Sequence, residues 1–547
     1  MSIDASSSGH GAAYGGWAIL FVALYFAVLA VLSVYGLHRS YLVAKCVQLR
    51  EALARLRLGV QPLPPVFSAR TRPPFVTVQL PLYNEATVAR RLLDQIARLE
   101  YPRDRFEIQV LDDSTDETSA IVAPIVERLR AQGFDVSHRQ RTVRTGYKAG
   151  ALEAGLKVAK GELVAMFDAD FLPTPDFLRR MVPHFDDPKV AMVQGRWGHL
   201  NREESIFTRV GALMLDGHHV IENRVRAAAG WLFNFAGTGG MWRKEAIGDS
   251  GGWRHDTLTE DLDLSYRAQL GGWKFVYRED VVVPGELPDD VAAFRAQQFR
   301  WAKGTVQTRR KLFGRLMRAP ISLGAKAEAF FHLTPHIAYV LTMALSVLLL
   351  PVMVTTRSLD WLTLLLFDFP LFVGTTGSLA AFYALSQTHQ GRRATDGLRD
   401  VPALLIVGVG LTPLVTKAFI EAHRAMAGEF VRTPKRGDGP VGQKRYQSRG
   451  VAMPWAELGL AGYSSITVAA AIACRHYFAL PFALMFFAGY AHMAMSLLRA
   501  RWPMRTVATT AAARDGAVAA ADAVIDLADL ARLPSEHAAD VGLRPGS

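Results

Sequence analysis

Cysteine is nearly missing: Cys46 and Cys474 are the only two in 547 residues. That excludes a disulfide framework and a cysteine-built metal site. Lys and Arg are missing ahead of the first apolar run, where Asp4 is the sole charge, and with them the basic start of a signal peptide. Charge is also scarce inside the apolar runs, Asp368 being the main exception, which speaks against the intramembrane charge rows of a transporter. What is plentiful is hydrophobic, 50% of the chain against 20% charged. It is gathered in blocks, the pattern of a membrane protein that carries a soluble domain, in a chain longer than one ordinary domain. The net charge of +12 is met by Lys and Arg on cytoplasmic loops facing anionic lipid, without nucleic acid.

Trp17 to Gly36 is uncharged, and about 20 such residues cross a bilayer as a helix. Arg39, Lys45, Arg50, Arg55 and Arg57 follow, so the positive-inside rule puts residues 1–16 outside and what comes next inside. Residues 37–74 read as a juxtamembrane helix and a linker holding Pro62, Pro64, Pro65, Pro73 and Pro74. Strands then alternate with helical patterns, which predicts an α/β domain on a parallel sheet. Val76, Val78 and Leu80 alternate with Thr77 and Gln79 as a first strand, with Pro81 to Glu85 as its loop. Phe106, Ile108 and Val110 make a second strand, running into Asp112-Asp113-Ser114. Ser114 and Glu117 have capping-box spacing, which predicts a helix start whose positive end lies beside the two aspartates.

Leu163 to Phe167 is continuously apolar, the mark of a strand buried on both faces. Asp168 and Asp170 follow at its carboxyl end, where open sheets bind ligands; they read either as hard ligands for a divalent cation or as the start of a turn before Pro173. Lys148 is a partner for a phosphate or a carboxylate, or a solvated loop lysine. In Asn234 to Trp242, glycines and aromatics suit either a sugar-stacking surface or a tight turn among core rings. Thr259-Glu260-Asp261 opens a helix, as chemistry or as caps. Gln297-x-x-Arg300-Trp301 sits in a segment that also suits a basic amphipathic helix on a membrane surface.

Taken together, Asp112-Asp113-Ser114, Asp168-Ala169-Asp170, Thr259-Glu260-Asp261 and Gln297-x-x-Arg300-Trp301 resemble the signature of processive membrane glycosyltransferases of family two, the cellulose synthase type. Ile108 to Asp116 and Gly271 to Tyr277 extend the resemblance toward the mannan and glucomannan synthase branch. The likeness is strong over about 75–310 and looser elsewhere. It implies an α/β GT-A (Rossmann-like) cytosolic glycosyltransferase domain over 75–290, embedded in an α-helical transmembrane bundle. It also implies interfacial helices over 291–328, in the plasma (inner) membrane.

The resemblance further implies a metal-dependent hexosyltransferase. It would polymerise a β-linked glycan, β-1,4-mannan, glucomannan or β-1,4-glucan, with inversion, from a nucleotide-diphospho-sugar such as GDP-mannose or UDP-glucose. Mg2+ or Mn2+ would sit on Asp168 and Asp170, and Asp261 would be the general base beside Glu260. Asp112 and Asp113 would hold the base and ribose side of the donor, Lys148 and Arg300 its phosphates, and Gln297 and Trp301 the acceptor side. Phe430 to Lys435 resembles the gating loop (429–440) of the family, with Thr433 and Lys435 toward the donor. The run Pro434-Lys435-Arg436, where related chains vary, leaves that contact open.

Residues 336–385 and 458–498 read as two pairs of spans. A crossing by 401–428 would put Arg432, Lys435 and Arg436 outside, against the charge rule, so that stretch is expected to lie interfacial or re-entrant on the inner side. Five spans result, with the tail 499–547 cytosolic, and the arrangement leaves room for an accessory export subunit. The alternative reading is a non-processive β-glucosyltransferase acting on a membrane lipid. A receptor or transporter with an inert domain is a more distant one.

Overall fold

A computed structural model of the chain describes residues 16–50, 72–355, 373–426, 435, 437 and 452–501. Helix α1 (Gly16–Gln48) is unbroken, so the first span and the juxtamembrane helix expected after residue 36 are one rod. The α/β domain comprises β1 (Val76–Leu82), α2 (Ala89–Ile96), β2 (Phe106–Asp112), α3 (Thr118–Ala131), β3 (Asp135–Gln140), α4 (Tyr147–Lys157), β4 (Leu163–Met166), β5 (Val190–His199), α5 (Ile206–Asp216), β6 (Gly240–Arg243), α6 (Glu260–Leu270) and β7 (Lys274–Gly285). After it come α7 (Val291–Arg318), α8 (Leu323–Leu333), α9 (Ile337–Thr355), α10 (Ser378–Thr388), α11 (Ala394–Arg424), α12 (Trp455–Ala473) and α13 (Leu480–Arg501).

The strands form one mixed sheet in the order β3-β2-β1-β4-β6-β5-β7. β1 pairs in parallel with β2 and β4, while β6 runs against both β4 and β5. The chain steps outward from β1 to β3 and returns on the other side of β1 as β4. The carboxyl ends of β1 and β4 therefore flank a switch point, where such sheets leave a crevice. Both faces are covered: Leu163, Ala165 and Phe167 enter the core beneath α2 and α3, and Val164 and Met166 the core beneath α4. This is the expected GT-A arrangement, a mixed sheet under helices joined to long apolar helices.

Two local expectations fail for tertiary reasons. The alternation in β1 does not mark a wet face, because Thr77 and Gln79 are fully buried. They stay there by pairing along the sheet, Thr77 Oγ1 donating to Glu107 at 2.7 Å and Gln79 Nε2 to Gln109 at 3.1 Å. β1 also runs on through Pro81 and Leu82, so its loop starts later than expected. The capping box does not form. Ser114 Oγ instead accepts from the Asn84 N–H at 2.9 Å, and α3 begins at Thr118, whose N–H is taken by Asp116.

Five described helices are long and apolar enough to cross a membrane: α1, α9, α11, α12 and α13. The expected span 361–385 lies partly outside the described residues, which resume with a π-turn at Val373–Gly377 leading into α10. Most of the gating loop, Thr433 included, and the tail beyond 501 also lie outside them. α11 qualifies by length, yet both of its ends are tied to α5 and α7. Asp400 faces Arg209 of α5 at 3.7 Å. At the other end Lys303 of α7 meets Glu421 at 3.0 Å, and Gln307 donates to the carbonyls of Ala425 and Met426. Between them Leu404, Val407, Leu411 and Val415 share one core with Phe207 and Leu213 of α5 and Phe294 of α7.

The domain is joined to α1 and α8 by a buried charge chain in which Arg226 donates to Glu328 at 2.9 Å and Glu328 meets His38 at 2.7 Å. Truncating Glu328 to Ala takes the nearer partner from the Arg226 guanidinium, 1% exposed, and leaves it Glu222 at 3.2 Å, so the loss is smaller than the about 3–5 kcal/mol of a wholly unpaired buried charge. Melting of the detergent-purified protein is expected at a clearly lower temperature for Glu328→Ala than for Glu328→Gln, which keeps an acceptor for Arg226.

Candidate active site

The crevice at the switch point is a cavity of about 120 Å³. Asp168 and Asp170 reach it from the end of β4, Glu260 and Asp261 from the first turn of α6, Gln297, Arg300 and Trp301 from α7, and Lys148 from α4. Four carboxylates in one small space repel, and the cations between them answer that. Lys148 Nζ meets Asp168 at 2.5 Å and donates to the Gly237 carbonyl at 2.9 Å. Lys435 closes on Asp170 at 2.5 Å. Burial works to lower the Lys148 pKa, but Asp168, Glu260 and Asp261 outweigh it and leave it raised. Burial pulls Arg300 below its ordinary value against the same carboxylates.

Asp261 is the group moved furthest toward neutrality here. Burial, with the Glu260 charge beside it, pushes its carboxyl up to about 7, and Lys148 and the Leu262 N–H, 2.8 Å from Oδ1, restrain it only in part. Glu260 is raised too, chiefly by burial. A carboxylate poised near neutrality is matched to taking a proton from a hydroxyl. Its seat is shaped by two glycines. A Cβ on Gly237, at φ +82°, would lie 2.9 Å from Asp261 Oδ2. A Cβ on Gly304 of α7 would come within 2.5 Å of Thr259 Cγ2, just before α6.

Asp168 and Asp170 suit a hard divalent cation. Each is already neutralised by an ammonium group standing where a cation would. Among the described residues no cluster of three or more His, Cys, Asp or Glu side chains is arranged to hold a metal, so the remaining ligands have to be phosphate oxygens and water.

Asp112, Asp113 and most of 234–242 stand away from the cavity wall. Asp112 does not reach the cavity. Its carboxylate is wholly enclosed, with Oδ2 taken by His138 at 2.8 Å and Ser119 at 2.6 Å and Oδ1 by the Ser114 N–H at 2.9 Å. Those bonds outweigh burial and hold it well below the carboxylate range; it fixes the turn after β2. Asp113 is paired with Arg141 and likewise is not part of the cavity wall. The aromatics of 234–242 are core: Phe235 and Trp242 are fully buried, and only Ala236 and Gly237 of that run line the cavity.

Other wall residues had no signal in the short motifs. Trp197 and His199 come from the end of β5, Phe171 from the turn after β4, and Glu286 from just past β7. Glu286 also binds Arg91 at 2.6 Å and the Gly437 N–H at 3.3 Å. A tryptophan at a strand end two residues before a histidine was the available clue.

Residues 73–304 match the family model described as "Glycosyltransferase like family 2". Glucomannan 4-beta-mannosyltransferase 7 of Arabidopsis thaliana is 41% identical over 287 residues, 51% of this chain and 52% of the plant protein. Glucomannan 4-beta-mannosyltransferase 1 of Oryza sativa subsp. japonica is 40% identical over 287 residues, 51% and 55% of the two chains. The chain spans about half the length of these curated relatives. Among solved structures, a mannosyltransferase from Pyrobaculum calidifontis in complex with GDP-Man and Mn2+ aligns with a TM-score of 0.45 at 24% identity, over 67% of this chain and 98% of that one. That likeness is too loose to carry an assignment.

Two outcomes test the site. The kcat/KM for the donor is expected to fall as pH drops through about 7, where Asp261 takes up a proton, and Asp261→Asn to lose about 10²–10⁴-fold at the plateau. Stability should move the other way. The folded protein keeps that proton to a higher pH than the unfolded chain, whose carboxyl titrates near 3.8, so ionisation between 3.8 and about 7 costs stability. Gly304→Ala should push Thr259, and with it α6, off station and cost on the order of a hundredfold in initial rate. Adding Thr259→Ser, which deletes the clashing methyl, should recover part of that loss.

Proposed function

We propose that the protein is an inverting, processive glycosyltransferase that builds a β-1,4-linked mannan, glucomannan or glucan from GDP-mannose or UDP-glucose at the cytosolic face of the plasma membrane and feeds it outward. One observation carries the reading: a carboxyl raised to about 7, Asp261, shares a cavity with Asp168, Asp170, Lys148, Arg300 and Trp301. The plant relatives, named for transfer of mannose in β-1,4 linkage, favour mannan as the product.

Asp261 takes the proton of the acceptor hydroxyl as that oxygen attacks the anomeric carbon from the side opposite the diphosphate. Asp168 and Asp170 would hold Mg2+ or Mn2+, which would supply Lewis acidity for the departure of the diphosphate. Lys148 and Arg300 add fixed positive charge next to the departing oxygens. Lys435 shifts from Asp170 to a phosphate as the donor enters. Gln297 and Trp301 steady the acceptor sugar, the indole offering an apolar ring face. Asp113 and Arg141 border the nucleoside side.

The attachment of both ends of α11 to the glycosyltransferase domain supports an α11 that lies along the inner membrane face. With α11 flat, the spans are α1, α9, the segment ending in α10, α12 and α13, with the domain inside. Membranes holding the full chain should move label from GDP-mannose or UDP-glucose into alkali-insoluble chains cut by β-mannanase or cellulase. EDTA should abolish this and Mn2+ or Mg2+ restore it. Label confined to an organic-soluble lipid would overturn the polymer.

A further inference from the structure

One end of the cavity is built differently from the rest. Around Asp168, Asp170, Lys148 and Arg300 it is ionic, suited to a diphosphate and its cation. At the end of β5 it is aromatic and neutral. Trp197 and His199 alternate with Gly198, so they share a face of the strand, and both line the cavity with Leu215 and Leu287.

Each of the two is held rigidly from behind. The Trp197 indole N–H donates to the Thr238 carbonyl at 3.3 Å, and Thr238 Oγ1 in turn accepts from the Asp168 N–H at 2.9 Å. One threonine therefore fixes the spacing between the tryptophan and the metal-side aspartate. Phe171, with its centroid 4.8 Å away, and His219, at 5.3 Å, pack against the indole. His199 has only 5% of its side chain exposed, and its Nε2 lies 3.0 Å from Asp216 Oδ1. Asp216 is itself 1% exposed and is held by Arg202 and by Gln387 of α10 at 2.9 Å. These bonds outweigh its burial and keep Asp216 ionised, so Nε2 carries the hydrogen given to it and Nδ1 is the ring nitrogen left over for a ligand. Nδ1 has no partner among the described residues.

We propose that Trp197 and His199 form a subsite for the terminal pyranose of the acceptor glycan, the indole covering an apolar patch of the ring and His199 Nδ1 hydrogen-bonding a ring hydroxyl. It rests on the polymerase reading and adds a second sugar-binding wall to that of Trp301. An uncharged ring with a hydroxyl rim is the chemistry this wall fits. A diphosphate is not, since the cation behind it, Arg202, is already paired with Asp216. The donor sugar is the competing occupant, and the two are separable by kinetics.

The test uses the full chain in detergent, with GDP-mannose and β-1,4-mannohexaose, and in parallel UDP-glucose and cellohexaose, following label on the hexaose. Trp197→Ala and His199→Phe are expected to raise the KM for the hexaose about tenfold while the donor KM stays within about twofold. Trp197→Phe, which keeps a ring, should recover most of the loss. A donor KM that rises while the hexaose KM stays put, or no change in either, overturns the subsite and leaves the polymerase reading intact. A wild-type protein that labels lipid and never elongates either hexaose overturns both.

Discussion

Four carboxylates converge on one crevice, and their mutual repulsion is the constraint that the rest of the structure answers. Asp168 and Asp170 arrive from one strand end, Glu260 and Asp261 from one helix start. Left alone, like charges this close would open the site or take up protons. Two of the four are neutralised by lysines from different parts of the chain, Lys148 from α4 and Lys435 from beyond α11. The other pair holds a proton more tightly, chiefly because both carboxyls are buried and, for Asp261, next because Glu260 stands beside it. On the proposed function, a cationic metal and an anionic donor would enter by exchanging partners with Lys148 and Lys435.

The same economy governs the boundary between the domain and the apolar helices. Arg226, Glu328 and His38 are hydrogen-bonded in series, and Asp216 gathers His199, Arg202 and Gln387. Buried ions of this kind tolerate little displacement, because an unpaired charge in a low-dielectric interior is costly. They fix the domain to α1, α8 and α10 as one body, so the cavity and the helices beneath it keep a constant relation.

Much of this was legible in the sequence, for a definite reason. A buried strand announces itself by continuous hydrophobes, and residues just after it are delivered to the carboxyl edge by topology; hence Asp168 and Asp170 fell where expected. Asp261, Arg300 and Trp301 were singled out by the resemblance of their motifs to a family, since local pattern alone read as well as helix caps and a basic amphipathic helix. What stayed hidden depended on partners far along the chain. Ser114 has the right spacing for a cap, but Asn84, thirty residues earlier, takes its hydroxyl. Asp112 looks like a ligand until His138 and Ser119 enclose it. His199 gains its role from Asp216 and Gln387, and no window of sequence contains all three.

α11 illustrates what such long-range partnership does to the making of the protein. Its apolar stretch would pass for a crossing segment on length alone. The groups that satisfy its two ends, Arg209 and Lys303, are translated earlier, the second of them 118 residues before Glu421. On the proposed topology the ribosome has therefore finished the glycosyltransferase domain before α11 emerges. Both docking partners of this helix are thus already synthesised when it leaves the ribosome.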